Sequence, residues 1–265
     1  MNVHDIDAVC ITLDRNNPNR AQESIKSIKK LGFRNADFID GVRGKNLSDN
    51  DIKSVCSIRT YYELKHGRYL HEAHENDGTI GCYLAHLNAW KLCLEKQEPL
   101  AIFEDDFKII DDANITEEFE DAIKYNYDIF RIVYKDYPEY GKEIEPLTDK
   151  IVRVKKALSG MAYVITPRCA EILVYYALPM EIQLDSYIDF IVFYANLNCY
   201  GPVKKIEKYS LLGNGSTIGH TLPKTYDSVV SPKFGKYLVL ILLFATFVII
   251  SILLYHNRNC KCSKI

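Results

Sequence analysis

The sequence predicts an α/β domain built on a largely parallel central sheet, followed by a membrane-spanning helix close to the chain end. Three observations carry this prediction. Short apolar runs alternate with segments of helical periodicity, the pattern that layers helices on a sheet. Two of these runs, LAIF at 100–103 and DIFRIVY at 128–134, are continuous rather than alternating, as strands buried on both faces require. Finally, Tyr237 to Tyr255 is uncharged, free of proline and apolar on every side. At 1.5 Å rise per residue its roughly 19 residues cross a hydrocarbon core of about 30 Å.

The elements follow in order. Ala8 to Leu13 reads as the first strand, ended by Asp14-Arg15 and a polar turn. A helix is expected from about Pro18, with Ala21, Ile25 and Ile28 at helical spacing and Gly32 closing it. Phe38-Ile39 is a short second strand, and Gly41 and Gly44 punctuate the loop after it. The polar stretch Asp49 to Asn76 receives no assignment. Its His66, His71 and His74 read as solvated helix residues, because HEAHE spaces its histidines by three and a metalloprotease helix needs HExxH.

Thr79 caps a predicted helix from Ile80 to about Glu95, with His86 at the edge of its buried stripe. After the acidic strand at 100–106, Asn114 and Glu117 resemble a capping box. Lys135 to Lys150 reads as a charged loop, and Ile151–Val154 and Met161–Ile165 read as strands flanking Ser159-Gly160. Thr166-Pro167 opens another helix. Glu181 to Phe193 is the last helix of the domain, with Asp185 and Asp189 four apart on one face. The predicted boundaries are a folded domain over 1–222, a linker over 223–236, the span at 237–255 and a tail over 256–265.

A formal net charge of -2 carries no nucleic-acid signature. No two of the six cysteines before the span are spaced as C-x-x-C, so neither a zinc knuckle nor a redox motif is expected, and a reducing compartment is. Met1 to Asp7 is polar and offers no secretory signal. The expected placement is therefore a single-pass, tail-anchored protein with its domain facing the cytosol; a lumenal domain in the endoplasmic reticulum or Golgi is the alternative. Three sequons, at Asn46, Asn114 and Asn214, matter only in a lumen. Cys260 and Cys262, beyond the span, are candidates for palmitoylation.

The chemistry concentrates where the third strand surfaces. Glu104, Asp105 and Asp106 follow Leu100–Phe103 without a spacer, at the carboxyl end of a strand, where ligands bind in open α/β sheets. Ionised carboxylates leaving a buried strand either lie in solvent or face a cation. Oxygen ligands of this kind suit Mg²⁺ or Mn²⁺, the usual partners of a pyrophosphate.

The runs VCITLDRNNPNR, FIDGVRG, GTIGCYLAHLNAW, LAIFEDD, DIFRIVY, SGMAYVITPRCAEIL and IQLDSYID, in this order over most of residues 6 to 195, resemble glycosyltransferase family 25. That family comprises the lipooligosaccharide and collagen galactosyltransferases. The resemblance implies a GT-A fold, a UDP-galactose or UDP-glucose donor, a divalent cation (Mn²⁺ or Mg²⁺), and inverting transfer to a hydroxyl of a glycan, lipid or hydroxylysine acceptor. By the resemblance Glu104 and Asp106 hold the metal; apart from it, His220 is the candidate to complete the shell, as a neutral imidazole near the chain end that can fold back onto the site. Thr12, Asp14, Arg15, Arg20, Asp105, Ser159 and Gly160 bind the donor. Asp185 serves as the base, with Asp189 in reserve. Two positions depart from the family pattern: Thr12 replaces an asparagine, and Ala85 a serine. Those departures leave a second reading, a membrane-tethered module of the same fold that binds glycans or partners without turnover.

Overall fold

The strands Asp7–Thr12 (β1) and Leu100–Glu104 (β3) lie side by side and parallel, with Ile11 opposite Glu104, so their carboxyl ends open on the same edge of the sheet. The structure is a computed structural model and describes residues 2–67, 73–74, 76–109, 115–135, 144–157 and 159–203. The remaining elements are the helices Ala21–Lys30 (α1), Asp49–Val55 (α2), Ile58–His66 (α3), Asp77–Lys96 (α4), Thr116–Lys124 (α5), Pro167–Tyr176 (α6) and Leu184–Tyr194 (α7). The strands are Asn35–Asp40 (β2), Ile129–Arg131 (β4), Ile144–Pro146 (β5), Ile151–Val154 (β6), Ala162–Ile165 (β7) and Cys199–Pro202 (β8). They form one sheet in the order β2-β1-β3-β7-β4-β8-β6-β5.

The sheet is mixed and leans parallel, a correction to the largely parallel sheet expected from sequence. β1 is parallel to β2 and β3, and β4 to β8, whereas β7 is antiparallel to both β3 and β4, and β6 to both β5 and β8. Only β6 and β7 among the described strands therefore oppose the other six. β5 and β6 are joined by a four-residue turn, and so short a connection permits only antiparallel pairing. The direction of β7 is not written in its composition, because AYVI is buried along its whole length either way.

Alternation along the strands divides the core in two. Val9, Ile102, Tyr163 and Ile165 face a core closed by α4, α6 and α7. Ala8, Cys10, Phe103 and Val164 face one closed by α1 and α5. The result is a helix–sheet–helix sandwich.

Several element boundaries differ from expectation for identifiable reasons. α1 begins at Ala21 rather than Pro18, because the Asn17 side chain accepts from the amides of Asn19 and Arg20 and holds that stretch in a turn. Asn76, not Thr79, caps α4, accepting from the Thr79 amide. Ile115 occupies the cap position of α5 without a side-chain bond, and Asn114 lies outside the described residues. β4 stops at Arg131, since the amides of Ile132 and Val133 both donate to the carbonyl of Ala162 and the ladder loses its step. β8 was hidden by its Gly-Pro, yet all four of its residues are buried between β4 and β6. His74 is buried against Tyr83, with its pKa lowered to about 4 by burial, rather than solvated; His71 lies outside the described residues.

No helix among the described residues is long and apolar enough to cross a membrane. The stretch 237–255, the linker 223–236 and the tail 256–265 lie outside those residues, as does His220.

The amino end of α4 is set by contact between glycines. A Cβ on Gly44 would lie 1.8 Å from the carbonyl oxygen of Asp77, and one on Gly81 would lie 2.3 Å from that of Val42, so helix and loop touch backbone to backbone. Gly44→Ala is expected to destabilise the domain by about 1–3 kcal/mol through enforced separation of these segments. Urea denaturation of wild type and variant measures it; an unchanged midpoint would mean that the loop yields freely.

Candidate active site

The two carboxyl strand ends open into a cleft of about 710 Å³. β1 contributes Thr12, with Asp14 and Arg20 following; the 41–45 loop contributes Arg43 and Lys45; α4 contributes Cys82, Ala85 and His86; and β3 contributes Glu104 with Asp105 and Asp106. Its walls thus carry both cations and carboxylates, with Arg20 paired to Asp105 within the acidic corner itself.

The three carboxylates have separate environments. Asp105 accepts from Arg20 Nε at 3.0 Å and from its terminal nitrogen at 2.7 Å, and its other oxygen accepts from Thr12 Oγ1 at 2.7 Å. Thr12 Oγ1 in turn accepts from the amide of Asp14 at 3.1 Å. Asp105 is therefore a clamp that fixes Arg20 and the end of β1.

Asp106 is buried, and its pKa is pushed up to about 6 by burial first and by the charge of Glu104 next, against the pull of Arg20 at 3.6 Å. Its Oδ1 is buried without a hydrogen-bond partner. Glu104 is half-exposed, its amide donating to the carbonyl of Met161 at 2.8 Å and its Oε1 standing 3.4 Å from His86 Nε2. A buried, unpartnered carboxylate oxygen beside a second carboxylate is where a divalent cation relieves both desolvation and repulsion, so the residues present fit such an ion.

The far side of Glu104 is built by the loop before β7. A Cβ on Gly160 would lie 3.7 Å from Glu104 Oε1 and 2.8 Å from Leu184, so Gly160 fits between the acidic corner and the first turn of α7. Ser159 adopts φ +97, and its amide approaches Asp185 Oδ2 at 3.5 Å. Asp185 is half-buried at this flank of the cleft.

Asp189 occupies a different place. It is buried, accepting from Arg131 at 2.6 Å and from the amide of Ala157 at 3.0 Å, with its pKa pushed up to about 6 by burial against the opposing charge of Arg131. Arg131, 1% exposed at its side chain, also donates to the carbonyls of Ala157 and Ser159. The pair ties α7 to the loop carrying Ser159-Gly160. Arg15 lies at the surface, paired with Asp40.

The structure thus brings Thr12, Asp14, Arg20, Glu104, Asp105 and Asp106 to one cleft and puts Ser159, Gly160 and Asp185 at its flank, while Arg15 and Asp189 are engaged elsewhere. Sequence reasoning missed Arg43 and Lys45, the proximity of Cys82 to Glu104, and Arg131. The signal for Arg131 was present: an arginine inside an apolar strand demands a buried carboxylate.

The sequence model of the family described as Glycosyltransferase family 25 (LPS biosynthesis protein) matches residues 9–188. No curated protein matches the chain. Among solved structures similar to it is apo UDP-glucose pyrophosphorylase, at 12% identity and a TM-score of 0.44, over 74% of this chain and 90% of that one. UDP-glucose pyrophosphorylase complexed with UDP-glucose is similar at 14% identity and 0.44, over 75% and 90%. A197 from STIV is similar at 13% identity and 0.40, over 74% and 81%.

Two stability predictions follow from the charges. Because the folded pKa of Asp106 lies above the ordinary carboxylate value of 3.8, the folded state holds the extra proton and stability falls as pH rises from about 4 to 6. Metal-free Asp106→Asn is therefore expected to gain about 1–3 kcal/mol over wild type at pH 7 and nothing below pH 4. Urea denaturation at the two pH values reads the difference, and an equal effect at both would refute it. Separately, Arg131→Met is expected to cost about 3–5 kcal/mol by stranding Asp189, with Arg131→Met/Asp189→Leu recovering much of it. Equal losses in single and double variants would show that the pair is not the cause.

Proposed function

Because the chain belongs to glycosyltransferase family 25 and is by that membership a glycosyltransferase, we propose that it moves a hexose, galactose or glucose, from a UDP-sugar to a hydroxyl of a glycan, lipid or hydroxylysine acceptor, inverting the anomeric centre. The observation that carries this reading is the acidic corner at the end of β3, opening into a cleft with Arg20, Arg43 and Lys45 on its walls. A GT-A arrangement is consistent with a mixed, parallel-leaning sheet that presents its acidic residues at carboxyl strand ends.

In this reading Glu104 and Asp106 hold Mn²⁺ or Mg²⁺, with His220 as the further ligand proposed from sequence. When bound, the cation stabilises negative charge on the leaving diphosphate without proton transfer. Arg20, oriented by Asp105, adds positive charge at the same wall. Arg43 and Lys45 face the cleft from the opposite loop and suit the outer phosphate oxygens.

The bond from the anomeric carbon to the diphosphate oxygen breaks as the acceptor oxygen bonds to that carbon from the other face, and the acceptor hydroxyl passes its proton to a carboxylate. Asp185 is the residue we assign to that base. It lies across Gly160 from Glu104, and neither of its oxygens has an ion-pair partner among the described residues. Asp189 has both oxygens engaged and is assigned a supporting role. We further propose that residues 237–255 anchor the chain in a membrane with the domain on the cytosolic side.

The test is transfer and donor hydrolysis by purified protein with a panel of UDP-hexoses, with and without Mn²⁺. Asp106→Asn and Glu104→Gln are expected to lower kcat by about a hundredfold or more. Asp185→Asn is expected to lower kcat by about 10²–10⁴ with little change in donor KM. Donor binding without turnover in wild type would favour the binding-module reading, and full turnover by Asp185→Asn would place the base elsewhere.

A further inference from the structure

We propose that Cys82 Sγ, His86 Nε2 and Glu104 Oε1 form a binding site for a thiophilic divalent cation of the Zn²⁺ class, different in ligand chemistry from the hard cation of a nucleotide diphosphate. Cys82 and His86 are four residues apart on α4 and so project from one helix face, and Glu104 meets them from the end of β3. Their ligand atoms all lie within 4.8 Å of one another.

The histidine supplies the independent observation. His86 is fully buried, and its Nε2 has no hydrogen-bond partner although Glu104 Oε1 is only 3.4 Å away. Two ligands on one tetrahedral ion, with metal–nitrogen and metal–oxygen bonds near 2.1 Å, stand about 3.4 Å apart. This contact makes no hydrogen bond, and its length matches the separation of two ligands on a shared ion. With all three ligand atoms within 4.8 Å of one another, the thiol needs to draw in by no more than about 1 Å to reach the corresponding sulfur position.

The far nitrogen of the ring is already held. His86 Nδ1 lies 2.8 Å from Tyr163 Oη, which also accepts from Trp90 Nε1 at 2.9 Å. In the tautomer that carries its proton on Nδ1, the ring donates to Tyr163 and presents its Nε2 lone pair to Glu104 and Cys82, the arrangement in which a carbonyl, carboxylate or hydroxyl orients a ligating histidine. As the sulfur–metal bond forms, the thiol proton leaves to solvent, and the fourth position faces the cleft for water or a ligand.

The proposal shares Glu104 with the glycosyltransferase reading and rests on it for that residue's place in the cleft. The probe is Co²⁺, added to full-length protein purified in detergent with Cys260→Ser and Cys262→Ser to remove the tail thiols. A near-ultraviolet thiolate-to-cobalt band and the visible bands of a tetrahedral ion are expected, with proton release on binding and displacement by Zn²⁺. Cys82→Ser is expected to abolish the thiolate band, and Glu104→Gln to weaken Co²⁺ binding by about tenfold or more.

No thiolate band in the parent protein, or a band that survives in folded Cys82→Ser, overturns the site. Should Cys82→Ser fail to fold, unchanged Co²⁺ affinity in Glu104→Gln overturns it instead. Donor hydrolysis on the same preparations keeps the two readings apart: a protein with the band and no hydrolysis retains this site and loses the transferase reading, and hydrolysis without the band does the reverse.

Discussion

The constraint on which this molecule depends is the desolvation of carboxylates at the end of β3. Four consecutive residues of that strand, Leu100 to Phe103, are entirely buried, and the chain surfaces directly into Glu104, Asp105 and Asp106. Three adjacent acids at a buried edge repel one another and lose hydration together, which costs several kcal/mol unless cations answer them. Arg20 answers Asp105 through two nitrogens, and Thr12 takes the remaining oxygen. Asp106, with Arg20 3.6 Å from its Oδ2, keeps a buried Oδ1 that has no hydrogen-bond partner, and that deficit makes the corner a place for a ligand rather than a satisfied network.

Support for the corner comes from behind the sheet. Arg131 is buried in β4 and answered through Nη2 by Asp189 of α7, while its Nη1 donates to the carbonyls of both Ala157 and Ser159. A buried ion pair adds little net stability compared with a hydrophobic filling of equal volume, but it fixes geometry. Here it fixes a loop whose glycine must pass between Glu104 and Leu184 without a side chain. The pair therefore contributes to the site through position, and α7 reaches Ser159 with Asp185 because the helix is moored one turn further on.

What the sequence made legible was chemistry that is local along the chain. The acidic corner was visible because a continuous apolar run and three acids are adjacent, and Thr166-Pro167 announced α6 because cap and proline act within one turn. Other features needed partners far away in sequence. Asp189 read as a reserve for Asp185 because helical spacing reports a shared face and not what covers that face. An arginine in DIFRIVY and an aspartate in IDFIVF are complementary anomalies, but only the structure pairs them, across 58 residues. Cys82 and His86 sat four apart on a predicted helix, yet their relation to Glu104 depends on how α4 crosses β3, which no periodicity encodes. The crossing is set by Gly44, which read only as punctuation, and by Gly81, which lies inside the predicted helix and drew no reading of its own.

The reversed direction of β7 explains why the site could be assembled at this edge. A parallel strand beside β3 would deliver its carboxyl end to the acidic corner, bringing Thr166 and the start of α6. Because β7 runs antiparallel, with Ala162 opposite Phe103, its amino end arrives there instead. That places Met161, whose carbonyl accepts from the Glu104 amide, and Gly160 against the carboxylate itself. β4, antiparallel to β7, then ends beside the same loop, so that Arg131 meets Ala157 and Ser159. One inverted strand thus converts an ordinary sheet edge into a corner closed on both flanks, and the departure from a parallel sheet is the feature that gives the carboxylates their second wall.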